Sequence, residues 1–364
     1  MRRLLIPLLI GLAALAGAFD VLSQRIPRPL HLPPQQPLTT HHPTVGVHTR
    51  LAGIGDERYI SETLQLVHDM GAAWIVELFP WIYVQPRNAN SYDWTGADLI
   101  INHARARSLQ VIARLDFVPE WARPERTFTS YIDPEHYGDF ASYVAAFARR
   151  YRPLGVRHLL IWNEPNLSGE WGGRQPDPEA YAELLKVVYR RVKQEQPDAI
   201  IIAAGLSPGG PIDGGATRMD DLEYLRRMVQ AGAPFDMLAA HPYSPAPPDE
   251  PPAPEVVSFR RPEIYHTMLQ ELGRGDVPIV ITEAGWNDHP RWSAAVPPDE
   301  RIRRTLDAYR IAEGWPWLVA TCMWQFNLPS ITHSYQDNWT FVAPDLITKP
   351  IYDAVRRWAR GEEP

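Results

Sequence analysis

"HLLIWNE" runs from His158 to Glu164. Apolar residues from Leu159 to Trp162 end on an amide and a carboxyl group, Asn163 and Glu164, and Pro165 follows at once. A strand covered on both faces reads as such an unbroken apolar run. Proline next in line cannot extend a hydrogen-bond ladder, because it has no N–H. Polar groups gathered where a buried parallel strand stops are what an α/β sheet presents at its carboxyl edge, where ligands bind. If this stretch is one strand of a repeating βα fold, the pattern has to recur.

It recurs on both sides. Upstream lie "TVGVH" (Thr44 to His48), "AAWIVEL" (Ala72 to Leu78) and "LQVIARLDF" (Leu109 to Phe117). Downstream lie "AIIIAAG" (Ala199 to Gly205), "FDMLAAH" (Phe235 to His241), "PIVITE" (Pro278 to Glu283) and "LVATCMWQF" (Leu318 to Phe326). The runs start roughly 30 to 50 residues apart, the size of a βα unit with its loop. The segments between them have helical periodicity. From Pro178 to Gln196, Ala180, Leu184, Val187 and Val188 share one face, and Asp177 before Pro178 reads as an N-cap. Asp133 to Tyr151 and Pro298 to Gly314 are similar, the latter with glycine where the helix should stop.

Eight buried strands alternating with helices predict a closed (β/α)8 TIM barrel over residues 44–364. The competing open, doubly wound sheet usually carries a glycine-rich phosphate loop after its first strand. Here that loop reads "GVHTRLAGIGDE" (Gly46 to Glu57), with glycines too sparse for a dinucleotide fingerprint. No dinucleotide or other cofactor is expected.

The composition fits a large globular core: 364 residues, 45% hydrophobic and 22% charged. A net charge of -7 argues against a nucleic-acid partner, which favours a basic face. The single cysteine, Cys322, excludes an intramolecular disulfide and reads as a buried thiol. At the N-terminus, Arg2 and Arg3 precede an uncharged run from Leu4 to Phe19, with Ala16-Gly17-Ala18 matching the small-residue rule for cleavage. Residues 1–20 are therefore read as a signal peptide or a retained signal anchor. The remainder is expected outside the cytoplasm, secreted or held on the outer face of the membrane through residues 4–19. Residues 21–43 are proline-rich and read as an extended linker, with His41 and His42 as solvated residues of that spacer.

In a barrel, chemistry sits at the carboxyl ends of the strands. The first run ends at His48, the second at Glu77, and the third at Asp116. The fourth delivers Asn163 and Glu164, the sixth His241 and Tyr243, and the seventh Glu283 and Trp286. The eighth delivers Trp324, Gln325 and Asn327. Of 13 tryptophans, Trp81, Trp121, Trp162, Trp171, Trp286, Trp292, Trp324 and Trp339 fall near this rim. About half of them are expected to be core anchors instead. Glu164 and Glu283 stand out, because each ends an unbroken apolar strand and both strands border one central pocket. Two opposed carboxyl groups in an aromatic pocket suit glycoside hydrolysis. A separation of ~5–5.5 Å gives retention and ~6.5–9.5 Å inversion. "SPAPPDEPPAPE" (Ser244 to Glu255) reads as a proline-stiffened wall of that cleft or as a disordered insertion. No metal is expected: His48 and His241 lie far apart in the chain, with no third ligand in view.

"IWNEPN" (Ile161 to Asn166) and "ITEAGW" (Ile281 to Trp286) resemble the retaining glycoside hydrolases of clan A, which include cellulase-type barrels. "WIYVQPRNANSYDW" (Trp81 to Trp94), "DFVPEWA" (Asp116 to Ala122) and "AAHPYS" (Ala239 to Ser244) look most like family 39, which contains β-xylosidases and α-iduronidases. The resemblance implies Glu164 as acid/base, Glu283 as nucleophile, and Asn163 as partner of the sugar 2-hydroxyl. It implies Tyr243 on the nucleophile's oxygen, His241 in support, and Trp324 as the floor under the sugar. His48, Trp81, Asp116 and Trp286 are further candidates for substrate contact. One departure is visible: where many clan members carry an arginine near the end of the second strand, this chain offers Glu77 and Trp81. The expected partner is an oligosaccharide, polysaccharide or glycoside. The alternative is a carbohydrate-binding barrel at the cell surface that no longer cleaves.

Overall fold

The computed structural model describes residues 34–362. The strands are β1 (Val45–His48), β2 (Trp74–Pro80), β3 (Gln110–Asp116), β4 (His158–Ile161), β5 (Ile200–Ala203), β6 (Met237–Ala240), β7 (Ile279–Ile281) and β8 (Leu318–Met323). All pair in parallel, each with its neighbours in sequence, and β8 closes on β1. Helices α1 (Glu57–Met70), α2 (Thr95–Ala106), α3 (Tyr137–Tyr151), α4 (Pro178–Glu195), α5 (Asp221–Gln230), α6 (Arg261–Glu271), α7 (Pro298–Glu313) and α8 (Pro350–Ala359) follow the strands in turn. The expected TIM barrel is the observed one.

The strand sequences explain the ring. Val76, Ile112, Leu160, Ile202, Ala239, Val280, Ala320 and Cys322 come from seven strands and form one buried cluster in its interior. β1 contributes Gly46 to this layer. A Cβ there would lie 2.6 Å from Cys322 Sγ and 2.8 Å from Trp74 Cβ, so the seam between β1 and β8 closes only around a glycine. Cys322 is the buried thiol expected. Side chains alternate along a strand, so two residues beyond Ile112 the same inward face of β3 carries Arg114, and two beyond that Asp116.

The helices form where anticipated, and their ends have chemical causes. Asp177 caps α4 by accepting from Ala180 N at 2.9 Å, with Pro178 at the first position. Asp56 does the same for α1. The segment from Asp133 begins as a 3-10 turn, Pro134–His136, before α3 takes over. β4 is shorter than its apolar run. It stops at Ile161 because Trp162 turns the chain with φ 77° and Glu164 turns it again with φ 32°.

Residues 34–43 differ from expectation. They do not behave as a spacer but lie against the C-terminal ends of α1, α2, α7 and α8. Gln36 N donates to Ala106 O at 2.7 Å, and His41 N donates to Ala359 O at 2.8 Å. His42 pairs with Glu313 at 2.9 Å and stacks on Trp358 with centroids 3.9 Å apart. The remainder of the proline-rich stretch and the segment read as a signal lie outside the described residues. Among the described residues no helix is long and apolar enough to cross a membrane.

Candidate active site

The carboxyl end of the barrel opens into a pocket of about 730 Å³. It is lined by Asn163, Glu164, Glu170, Glu283, Arg50, Arg114 and Tyr243 among polar residues, and by Phe117, Trp286, Trp292, Trp324 and Trp339 among aromatic ones. That mixture of flat apolar faces and a few convergent polar groups is typical of a small-molecule site.

The turn after β4 places Asn163 and Glu164. A positive φ on a non-glycine residue costs on the order of 1–3 kcal/mol, and here two occur within three residues. Several bonds hold the turn. Glu164 N donates to Gly205 O at 3.1 Å, and Trp162 Nε1 donates to Glu170 O at 2.7 Å. The Asn166 side chain spans to Ser207 and Met219, donating to both carbonyls and accepting from Ser207 N. The strain turns the two polar side chains inward. Asn163 is buried, and its Oδ1 has no protein partner among the described residues.

Glu164 and Glu283 keep side-chain exposures of 16% and 10%, so both reach the pocket from otherwise closed surroundings. Each is held differently. Glu283 Oε1 accepts from Arg114 Nη1 at 3.1 Å, and its Oε2 accepts from the Tyr243 hydroxyl at 3.1 Å. Arg114 Nε also donates to Asp116 Oδ2 at 2.8 Å. Burial opposes the charge on Arg114, but Asp116 and Glu283 outweigh it and hold the guanidinium firmly cationic. The tyrosine hydroxyl is pushed well above its usual range by burial and by the charge of Glu283, so it stays a donor.

Glu164 Oε1 lies 3.0 Å from His241 Nδ1, and His241 Nε2 lies 2.9 Å from Thr282 Oγ1. Burial works against a charged imidazole here, yet Glu283 and Glu164 together raise the pKa of His241 above its usual value. Gly205 makes room for this ring: a Cβ there would sit 2.4 Å from His241 Cδ2. His48 has the opposite tendency. Burial, then the charges of Arg114 and Arg50, drive its pKa well below the usual value and favour neutral imidazole. Its Nδ1 bonds to Thr49 O at 2.9 Å, and its Nε2 stands 3.8 Å from Glu283 Oε1.

The site residues expected from the sequence thus separate into three groups. Glu164, Glu283, Asn163, Tyr243, Trp286 and Trp324 line the pocket. His48, His241 and Asp116 are buried behind it: Asp116 bonds to Arg114, His241 bonds to Glu164, and His48 stands beside Glu283. Trp81 is elsewhere. It is fully buried against Trp121, Phe140 and Tyr143, with its indole N–H on Gln85 at 2.7 Å. Of the eight rim tryptophans, Trp286, Trp292, Trp324 and Trp339 face the pocket and the other four do not.

The reading of β2 also changes. Glu77 does not stand in for an arginine at the nucleophile, because its carboxylate folds onto the loop after β1. It accepts from Thr49 Oγ1, Leu51 N, Ala52 N and Leu78 N. Burial still pushes its pKa up to about 7. The cation on Glu283 is Arg114 from β3, hidden in the sequence inside an apolar run. Glu170 was missed too, and no signal beyond its place six residues after Glu164 marks it.

No protein-family model and no curated protein matches this chain. Solved structures do. A family 39 glycoside hydrolase from the gut symbiont Bacteroides cellulosilyticus WH2 superposes with a TM-score of 0.68 at 23% identity, over 88% of this chain and 64% of that one. A family 39 β-xylosidase from Caulobacter crescentus gives 0.63 at 18% identity, over 90% and 73%. A family 39 enzyme from Xanthomonas axonopodis pv. citri gives 0.65 at 16% identity, over 88% and 67%. At these identities the likeness is one of fold, and the chain spans under two thirds of the length of the first.

Proposed function

We propose that this barrel is a retaining glycoside hydrolase that cleaves O-glycosidic bonds by double displacement. The observation that carries the proposal is the pairing of Glu164 and Glu283 in one aromatic-lined pocket with different partners. Glu283, between Arg114 and Tyr243, is suited to be the nucleophile. Its two neighbours donate to the two carboxylate oxygens and fix the group's orientation for attack on the anomeric carbon. Glu164, tied to His241, is suited to protonate the departing oxygen. Once Glu283 is esterified its negative charge is gone, and Glu164 then gives up its proton more readily and serves as base toward water. Trp324 supplies a flat face for the C–H side of the ring, and Asn163 a polar contact for the 2-hydroxyl.

The structural neighbours support the reading through their shared fold, and one of them is named as a β-xylosidase. We place the chain outside the cytoplasm on the pattern of its first 20 residues. Purified protein is tested on a panel of aryl glycosides, with the anomer of the first-formed product followed by NMR. Retention is expected, with Glu164→Gln and Glu283→Gln each lowering kcat at least about 10³-fold. First-formed product of inverted configuration overturns double displacement. Sugar binding without turnover on the whole panel turns the reading to a non-cleaving carbohydrate-binding barrel.

A further inference from the structure

The double displacement proposed above uses two carboxylates, yet a third lines the same pocket. Glu170 sits on the 3-10 turn Ser168–Trp171, beyond Glu164. That turn is not loose. Its backbone is held by Trp162 Nε1 on Glu170 O at 2.7 Å and by Glu170 N on Leu167 O at 3.1 Å. Trp171 packs edge-on against Trp162 with centroids 5.8 Å apart. The carboxyl group is therefore presented from a fixed support. Beside it are Asn163 and Arg114, both lining the pocket.

Glu170 has no structural duty of the kind Glu77 has. No backbone N–H is bonded to it among the described residues, whereas Glu77 accepts three. The positive charge that most favours its ionised form is Arg114, and that guanidinium is already engaged by Asp116 and Glu283. Burial raises its pKa to about 7, and the charges of Asp116 and Glu164 add to the rise. Asn163 hydrogen-bonds to it, which leaves a half-buried carboxyl group that caps nothing, has no ion pair of its own and keeps acceptor capacity for a further donor. With Glu164 protonated as the general acid and Glu283 matched by Arg114, an ionised Glu170 is the negative charge that a ligand carboxylate would meet here.

We infer that Glu170 is a specificity-determining residue of this site: its carboxyl group hydrogen-bonds a hydroxyl of a neutral sugar bound against Glu164 and Glu283 and, by its charge, turns away sugars that carry a carboxylate. This rests on the glycosidase reading and deepens it by naming the substrate class. A site built to hydrogen-bond a substrate hydroxyl discriminates strongly, because a ligand that cannot supply that donor leaves a buried polar group unpaired.

The test uses the intact protein with Glu170→Gln and Glu170→Ala. Kinetics are measured on the neutral aryl glycoside that wild type turns over best, and on matched aryl glucoside–glucuronide and galactoside–galacturonide pairs. Circular dichroism melts confirm folding. Wild type should prefer the neutral member of each pair. Glu170→Ala should lower kcat/KM on the best neutral substrate at least ten-fold. Glu170→Gln keeps the shape but loses the charge, so it should narrow the neutral-to-acidic selectivity ratio at least ten-fold. A purely structural role would not move that ratio. A ratio unchanged within two-fold in Glu170→Gln, or a wild-type preference for the uronides, overturns the inference while leaving the glycosidase reading standing. Absence of turnover on every glycoside removes that reading and this inference together.

Discussion

Arg114 is a full positive charge on the inner face of a barrel strand, joined to Asp116 and Glu283 and almost hidden from water. Its placement follows from alternation alone. Ile112 faces the barrel interior, so Arg114 and Asp116 face it too, higher up where the ring opens. Replacing it by methionine would strand two buried carboxylates. Removing one partner of a buried ion pair typically costs about 3–5 kcal/mol. Arg114→Met should therefore lose about that much in urea unfolding and lower kcat by at least about 10²-fold. Arg114→Lys restores charge without the two-pronged geometry and should recover stability more than rate. Equal kcat in Arg114→Met and wild type would mean that Glu283 does not depend on this cation. The two candidate glutamates were legible because each terminates an apolar run. Arg114 was not, because a charge inside an apolar run looks like a blemish until the inward positions are counted in twos. Glu77 misled for the complementary reason: it lies next to inward-facing Val76 and so points the other way, to the loop amides it caps.

At the scale of elements, the wall made by Ser244 to Glu255 shows how a proline-rich loop is held without secondary structure. Of the two readings of this stretch, wall or disordered insertion, the structure supports the wall. Ser244 and Pro245 line the pocket, and Trp286 Nε1 donates to Ala246 O at 3.0 Å. The far end is gathered by Arg261, at the start of α6, whose Nη1 donates to the carbonyls of Ala253, Pro254 and Val256. Its Nε and Nη2 grip both oxygens of Asp221, at 2.9 and 2.8 Å, and Asp221 also accepts from Gly209 N. One buried pair therefore ties the loops after β5 and β6 to α5 and α6. Arg261→Met should cost about 3–5 kcal/mol in urea unfolding. It should also speed amide hydrogen exchange at residues 253–257 while leaving exchange in β1–β3 unchanged. Uniform acceleration across the barrel would show that the pair supports the whole fold rather than this wall. Sequence could not reveal the pairing, since Asp221 and Arg261 each look like ordinary first-turn residues of a helix.

For the molecule as a whole, the decisive step is closure, and the sequence spoke clearly about it: eight apolar runs in order, and no phosphate loop after the first. What it concealed was where the folded unit starts. Proline density between Arg25 and Pro43 suggested a chain that could not pack, yet prolines and histidines can lie on a surface that other elements have prepared. That surface is the ring of helix ends opposite the pocket. His42 bridges α7 and α8 through Glu313 and Trp358, and Gln36 and His41 satisfy carbonyls at the ends of α2 and α8. Helix ends leave their last carbonyls unpaired, so these donors do work that capping residues elsewhere would do. A chain starting at residue 44 is therefore expected to be less stable than one starting at residue 34. Two backbone hydrogen bonds, one ring stack and a partly exposed ion pair together suggest about 3 kcal/mol. In a domain of this size that corresponds to a drop in Tm of roughly 4 °C. The pocket lies at the opposite end of the barrel, so kcat at 25 °C should be the same for both chains. A shared Tm would show that residues 34–43 rest on the barrel without holding it, whereas a lower kcat in the shorter chain at 25 °C would place their influence at the site itself.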